Sequence, residues 1–289
     1  KVKVNKNVVE TWSNLFSSKI NKMTFRFSTS IKNFADRVAG RHDVYQWHPI
    51  KSLFDPTVFI GLYHKNDWLR ILWHRGPKLA FWCGGDILGL QKEPLWQKLL
   101  KYAKIDHVCE NEVEQKALKE MGISARIHPI LFFDDYRNYP LSFKPSQNPQ
   151  MWLTCHPGRE DEYGVTLVEE IAYLVPEVTF HIFGVLPRVY GSSMNIRYHG
   201  YISSSMLDKM IRNYHCGLRT NEFDGCPHTV TKGILLGQYP INKIRYPYTE
   251  SYETKEELVE LLRNLKNKTK PNLEGRKYWL PILRDFPWS

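Results

Sequence analysis

Long apolar runs are missing from this 289-residue chain. No stretch approaches the ~18 consecutive apolar residues that a bilayer-spanning helix needs, so no transmembrane segment is expected. No cleavable leader stands out either. Cysteine is scarce: Cys83, Cys109, Cys155, Cys216 and Cys226 show no CxxC and no regular spacing. An odd count without a framework argues against disulfides and against a thiolate metal site, and for reduced, buried thiols. The expected location is the cytoplasm, a host cytoplasm for a viral protein, or the inner face of a membrane as a peripheral protein. Internal repeats and low-complexity runs are also lacking. With 42% apolar and 13% aromatic residues the chain is not disordered.

Acidic charge is sparse in one region only. Residues 1–78 carry 14 Lys and Arg against 5 Asp and Glu, whereas residues 79–145 carry 9 of each. The net charge of +10 is therefore concentrated in the first quarter of the chain. A one-signed region speaks to partners rather than to folding: a polyanion such as DNA, or an anionic membrane surface, meeting residues 1–78. Residues 7–23 add an amphipathic pattern (Val8, Trp12, Leu15, Phe16, Ile20, Met23), which suits a membrane-surface helix or a helix packed on a sheet.

What the chain does have is alternation. Short β-rich runs at 23–28, 44–47, 58–63, 78–83, 107–109 and 125–130 are interleaved with helical patterns at 31–38, 67–73, 93–102 and 111–121. A polar stretch with three prolines, residues 132–150, interrupts the pattern. It resumes with strands at 151–155, 178–183, 196–199 and 216–218, and helices at 167–174, 204–213 and 256–266. This predicts an α/β protein of two facing Rossmann-like domains with mainly parallel, doubly wound sheets. The predicted domains span residues 1–140 and 151–275, and an aromatic tail, 276–289, packs back toward the first.

The stretch GLRTNEFDGCPHTVTKGILLGQYPI, residues 217–241, organises the second half. It reads as a strand end, a polar turn, a helix beginning at Pro227 and closed by Gly237, and a second buried strand. The first N–H groups of that helix, on His228, Thr229 and Val230, would offer an anion site beside Asp224 and Gly225. Other strand ends in this half carry Gly158-Arg159, Gly184 and Gly200. Glycine permits close approach of a ligand to backbone, and the guanidinium fork of Arg159 suits phosphate.

Residues 151–241 resemble the donor domain of group 1 glycosyltransferases, nucleotide-sugar enzymes of the GT-B architecture. The resemblance runs through Gly158-Arg159 after the first strand, HIFG ending at Gly184, the unit NIRYHGYISSSML, and the 217–241 stretch. In that family the last segment carries two acidic residues eight positions apart. Asp224 matches the first and Gly225 the turn, but Lys232 stands at the second. The basic residue usual after the family's Arg is also replaced, by Glu160, Asp161, Glu162 and Tyr163.

The resemblance implies that Arg159 and the N–H groups of His228 and Thr229 hold a donor pyrophosphate. Asp224 would accept bonds from the transferred sugar, and Gly184, Tyr201 and Ile202 would flank base and ribose. Lys232 could donate to the ribose or reach a phosphate. Trp82-Cys83-Gly84-Gly85-Asp86 is similar to a Trp-x-Gly-x-Asp feature of some members. Asp86 there would deprotonate or orient an acceptor hydroxyl; the alternative is an N-cap for the following helix. No metal or bound cofactor is implied, since the donor, a UDP-sugar in the first instance, is a co-substrate. The implied activity is hexosyl or pentosyl transfer from a nucleotide sugar to a hydroxyl on an anionic partner. The alternatives are a viral-type DNA glycosyltransferase acting on an extruded hydroxymethylated base and a non-catalytic nucleotide-binding module.

Overall fold

The computed structural model describes residues 23–31, 45–128, 136–187 and 193–284. The amphipathic pattern at 7–23 and most of the helix expected at 31–38 lie outside these residues, as does the tail beyond Arg284. The described chain falls into two compact units. The first holds the residues up to 128 together with Phe223–Cys226 and Arg284. The second holds Tyr136 to Glu222 and Pro227 to Leu283.

The first unit is a six-stranded, all-parallel sheet in the order β2-β1-β3-β4-β5-β6. Its strands are β1 (Thr24–Phe27), β2 (Tyr45–Gln46), β3 (Thr57–Ile60), β4 (Lys78–Phe81), β5 (Asp106–Cys109) and β6 (Ala125–Ile127). Between them run α1 (Lys65–Trp73), α2 (Gly85–Gln91), α3 (Pro94–Tyr102) and α4 (Glu112–Glu120). The strands read as continuous apolar runs because both faces are covered. Phe59, Ala80 and Cys109 point into one core with Trp68, Ile71, Leu100 and Leu118 of the helices. The alternate residues Val58, Ile60, Leu79, Phe81 and Val108 point into the other.

The second unit is again six parallel strands, ordered β12-β11-β10-β7-β8-β9. These are β7 (Gln150–Thr154), β8 (Thr179–Phe183), β9 (Ile196–Gly200), β10 (Cys216–Arg219), β11 (Ile241–Asn242) and β12 (Glu250–Ser251). The helices are α5 (Val165–Ile171), α6 (Ser204–Met210), α7 (His228–Leu236), α8 (Lys255–Asn264) and α9 (Leu273–Arg284). Met151, Leu153, Phe180, Ile182, Cys216 and Leu218 meet α5 and α8 through Val165, Val168, Leu258 and Leu262. On the opposite face α7 lies directly on β10. Gly217 allows this, because a Cβ there would come within 2.9 Å of the Thr229 carbonyl. From Thr229 to Leu236 every residue of α7 is buried, Thr231 and Lys232 included, so the helix has no solvent-facing side over this span.

Three features differ from the sequence reading. The second unit begins before the proline-rich stretch ends: Phe143 donates its N–H to the Leu236 carbonyl at 3.1 Å and its ring meets Tyr239. The tail from residue 276 to 283 lies within α9 and packs in its own unit, where Trp279 Nε1 donates to Pro247 O at 2.8 Å and Arg276 to Tyr139 O at 3.0 Å. Helix α2 carries glycines at positions 85 and 89 and begins at Gly85, before Ile87, after which the sequence reading places it as one alternative. The five cysteines are free thiols, four of them buried; burial pushes the Cys83, Cys109, Cys216 and Cys226 thiols up, which leaves them unreactive. No helix of the described residues is long and apolar enough to cross a membrane.

Candidate functional site

In an open α/β sheet ligands bind outside the carboxyl ends of the strands where the strand order reverses. In the second unit the chain starts at β7, runs outward through β8 and β9, and returns to β10 on the other side. The reversal therefore lies at the ends of β7 and β10, which carry residues 155–164 and 219–221.

These two segments are tied together. Gly164 has φ +81°, and a Cβ there would strike Thr220 at 2.3 Å. Thr220 Oγ1 donates to the Glu162 carbonyl at 3.2 Å, and Asn221 Nδ2 donates to Glu162 Oε1 at 3.0 Å. The half-exposed Arg159 grips the Glu162 carboxylate with two N–H groups, the Nε contact being 2.7 Å. Its guanidinium lies 5.0 Å from the Tyr163 ring centre, and Arg219 lies 4.3 Å from the same ring. The buried Asn221 Oδ1 has no hydrogen-bond partner. Two guanidiniums thus share one aromatic ring at the reversal, and the exposed Glu162 carboxylate pairs with one of them. Such a pair supplies planar, charge-assisted donors of the kind that hold a diphosphate. Sequence reasoning found Arg159 and missed Arg219. The signal was available, since Arg219 directly follows the apolar run of β10.

The glycines divide by what surrounds them. Gly158 has φ +81°, and an added Cβ would meet nothing within 4 Å, so its turn opens onto space. Gly184, at φ +95°, is needed by the protein itself, because a Cβ would fall 2.0 Å from the Cys155 carbonyl oxygen. Tyr201 is almost fully exposed and Ile202 partly so, directly after β9. Pro227 is the N-cap of α7 (φ −73°, ψ 152°) rather than its first residue. The helix consequently starts one position later, and the Val230 N–H is already bonded to the Pro227 carbonyl at 3.0 Å. His228 and Thr229 form the first turn.

Lys232 is only 4% exposed. Its Nζ sits 2.8 Å from Asp208 Oδ1 on α6 and 5.3 Å from the centre of the Tyr139 ring, while Tyr139 donates to the other Asp208 oxygen at 2.9 Å. The cation joins α7 to α6, a structural engagement that the sequence reading did not contain.

Asp224 and Gly225 group with the first unit. Asn111 Nδ2 donates to the Asp224 carbonyl at 2.7 Å, and the Cys226 N–H donates to Glu110 Oε2 at 2.9 Å. A Cβ on Gly225 would lie 1.9 Å from that same oxygen, so glycine is required there by the Glu110 carboxylate. The Asp224 side chain is partly exposed.

Asp86 is fully buried. One oxygen accepts the Leu62 N–H at 2.8 Å, and the other accepts those of Cys83 and Ile87 at 3.0 Å each. Burial pushes its carboxyl up to about 6 against the opposing pull of these bonds. The N-cap of α2 is Gly84, without a side-chain capping bond, whereas Asp86 lies in the first turn of the helix and ties the β3 and β4 ends to the start of α2. Beside it the buried Glu114 accepts the Glu110 N–H at 2.6 Å, and burial with the neighbouring Glu110 charge raises its carboxyl well above the ordinary value. Among the described residues no cluster of three His, Cys, Asp or Glu side chains is arranged to hold a metal.

No protein-family model and no curated protein sequence matches the chain. Solved structures do. The galactosyltransferase WaaB of the lipopolysaccharide outer core, in its apo form, aligns over 94% of this chain and 88% of its own, with TM-score 0.58 and 16% identity. The sucrose-phosphate synthase of Thermosynechococcus elongatus aligns over 79% of this chain and 71% of its own, with TM-score 0.57 and 11% identity. Anabaena HepE in complex with UDP-glucose aligns over 79% of both chains, with TM-score 0.52 and 10% identity. At such identities the likeness establishes the fold. The chain has the GT-B fold of glycosyltransferases, two α/β units of parallel sheets.

Proposed function

We propose that the protein is a glycosyltransferase that moves a sugar from a nucleoside diphosphate donor, a UDP-sugar first, to an acceptor hydroxyl on an anionic partner. The observation that carries this reading is the pairing of Arg159 and Arg219 around Tyr163 at the strand-order reversal of the second unit. In this reading the two guanidiniums and the first turn of α7 bind the diphosphate and stabilise it as the leaving group. Arg159 reaches the diphosphate by exchanging its Glu162 partner, an exposed pair that costs little to open. Gly158 leaves room for the phosphates, and Tyr201 with Ile202 takes the nucleoside.

Asp224 accepts hydrogen bonds from the sugar. The acceptor side rests on the cationic character of residues 1–78. Lys232 contributes by fixing α7 to α6 and not by contacting ribose. Asp86 holds the strand-end loops as a positioning residue.

Incubation with a panel of UDP-sugars, followed by measurement of UDP release, tests the reading and separates it from a non-catalytic nucleotide binder. Donor hydrolysis without acceptor, lost in Asp224→Ala while UDP still binds, is the expected result. Binding of UDP with no turnover of any sugar donor, with or without acceptor extracts, would establish the binding-module alternative instead.

A further inference from the structure

Among the described residues of the first unit, α1 and α3 carry large apolar side chains that are exposed. On α1, Leu69 and Trp73 are four residues apart and 55% and 61% exposed. On α3, Leu95, Leu99 and Tyr102 form a second exposed stripe at helical spacing, the outermost 73% exposed. The two helices lie side by side and run the same way: Lys65 pairs with Glu93 at 2.7 Å, and the Trp68 and Trp96 rings meet at 5.4 Å, pairs with the same sequence offset. The turn holding the exposed Ile50 and Phe54 adjoins the end of α1, since the Arg75 and Gly76 N–H groups both donate to the Leu53 carbonyl. Each helix has other side chains for the core below, Trp68 and Ile71 from α1 and Leu100 with the partly buried Trp96 from α3. The outward side chains are therefore additional to what folding requires, and a patch of this extent marks a docking surface.

Cations are interleaved with these side chains. From residue 65 to 104 the exposed charges are Lys65, Arg70, Arg75, Lys92, Lys98, Lys101 and Lys104. Of the three acidic residues in that span, Asp67 and Asp86 are buried, and only Glu93 reaches the surface. Arg75 lies 5.9 Å from the Trp73 ring centre and Lys101 lies 5.4 Å from that of Tyr102. The charged heads thus stand over the rings, so that cation and apolar surface are presented together. A second copy of this chain would oppose cations with cations. Nucleic acid would leave Leu69, Leu95 and Leu99 without stacking or hydrogen-bonding partners. A surface that is apolar in depth and anionic at its rim satisfies both features.

We propose that the outer face of α1 and α3, with the turn of residues 48–54, docks the protein on an anionic lipid bilayer. Leu69, Trp73, Leu95, Leu99 and Tyr102 enter the interface, and the cations meet the headgroups. The proposal goes beyond the transferase reading and does not depend on it, because lipid binding is measured with or without sugar turnover.

The test is flotation of the full chain with vesicles of phosphatidylcholine alone or mixed with phosphatidylglycerol. Wild type is expected to float with the anionic vesicles, to release as salt is raised, and to ignore the neutral ones. Trp73→Ser/Leu95→Ser/Leu99→Ser and, separately, Arg70→Gln/Lys98→Gln/Lys101→Gln should each weaken binding at low salt by roughly tenfold or more. Both sets lie at the surface, and an unchanged melting temperature confirms that they fold. Wild type that fails to float with anionic vesicles overturns the proposal. So do folded patch variants that float as wild type does, which would assign binding to another part of the chain.

Discussion

The strand-order reversals of the two units make opposite use of charge. In the first unit, between β1 and β3, Arg26 reaches Asp67 at 2.5 Å, Ser28 Oγ donates to the same carboxylate at 2.7 Å, and both charged side chains are buried. Nearby, Asp86, Glu110 and Glu114 each accept at least one backbone N–H. In the second unit, between β7 and β10, the carboxylate facing Arg159 is exposed and exchangeable. One reversal pairs its charges in the buried interior, and the other pairs them at the surface. The same sheet topology thus yields a buried structural pair in one unit and an exposed, exchangeable one in the other, where the proposed diphosphate would bind. The deciding factor is whether charge is paired inside or at the surface.

Breaking the buried pair should have the largest effect. Asp67→Ala leaves the Arg26 guanidinium buried and alone, and denaturant titration should show a loss of about 3–5 kcal/mol. Arg159→Ala removes an exposed pair with Glu162 and should cost less than about 1 kcal/mol of stability while weakening UDP binding. Lys232→Glu would restore the acidic residue found in the glycosyltransferases that the segment resembles. Here it sets two carboxylates together beside Tyr139, and the expected result is a loss of about 3 kcal/mol with no gain in UDP affinity.

The glycines sharpen the contrast. Gly225→Ala, forced against Glu110, should lower stability by about 2–3 kcal/mol through overpacking. Gly158→Ala meets no atom and should show only the left-handed backbone cost of about 1 kcal/mol. Thermal melts of the two variants side by side check this. A pH-dependent effect concerns Glu114. Its carboxyl is raised in the folded protein, so its protonation favours folding at low pH and that advantage is lost as pH rises. Measured at pH 5 and pH 8, Glu114→Gln should gain stability relative to wild type as pH increases, by at most about 1.4 kcal/mol per unit.

The fold was legible because its strands are apolar on both faces and its helices keep a regular period; β8 and β10 were found to within a residue of their observed starts. The 217–241 stretch was read nearly in full, since Gly237 caps α7 in the left-handed conformation, as a closing glycine should. Pro227 fell one position off because proline suits both the cap and the first turn. The roles of single residues were less legible. Lys232 depends on Asp208, 24 positions away, and the requirement for Gly225 depends on Glu110, more than a hundred positions away; neither partner has a local signature. Charge counted along the chain also concealed a feature. Residues 79–145 balance to zero, yet folding buries Asp86 and Glu114 and leaves Lys92, Lys98, Lys101 and Lys104 outside.

Calorimetric titration of UDP into wild type and into Arg159→Ala/Arg219→Ala tests the central claim most directly. The account predicts saturable binding by wild type and an affinity lower by roughly a hundredfold in the double variant, as for the loss of two charge-assisted contacts. A folded wild type that does not bind UDP, or a double variant that binds it as tightly as wild type does, would contradict it.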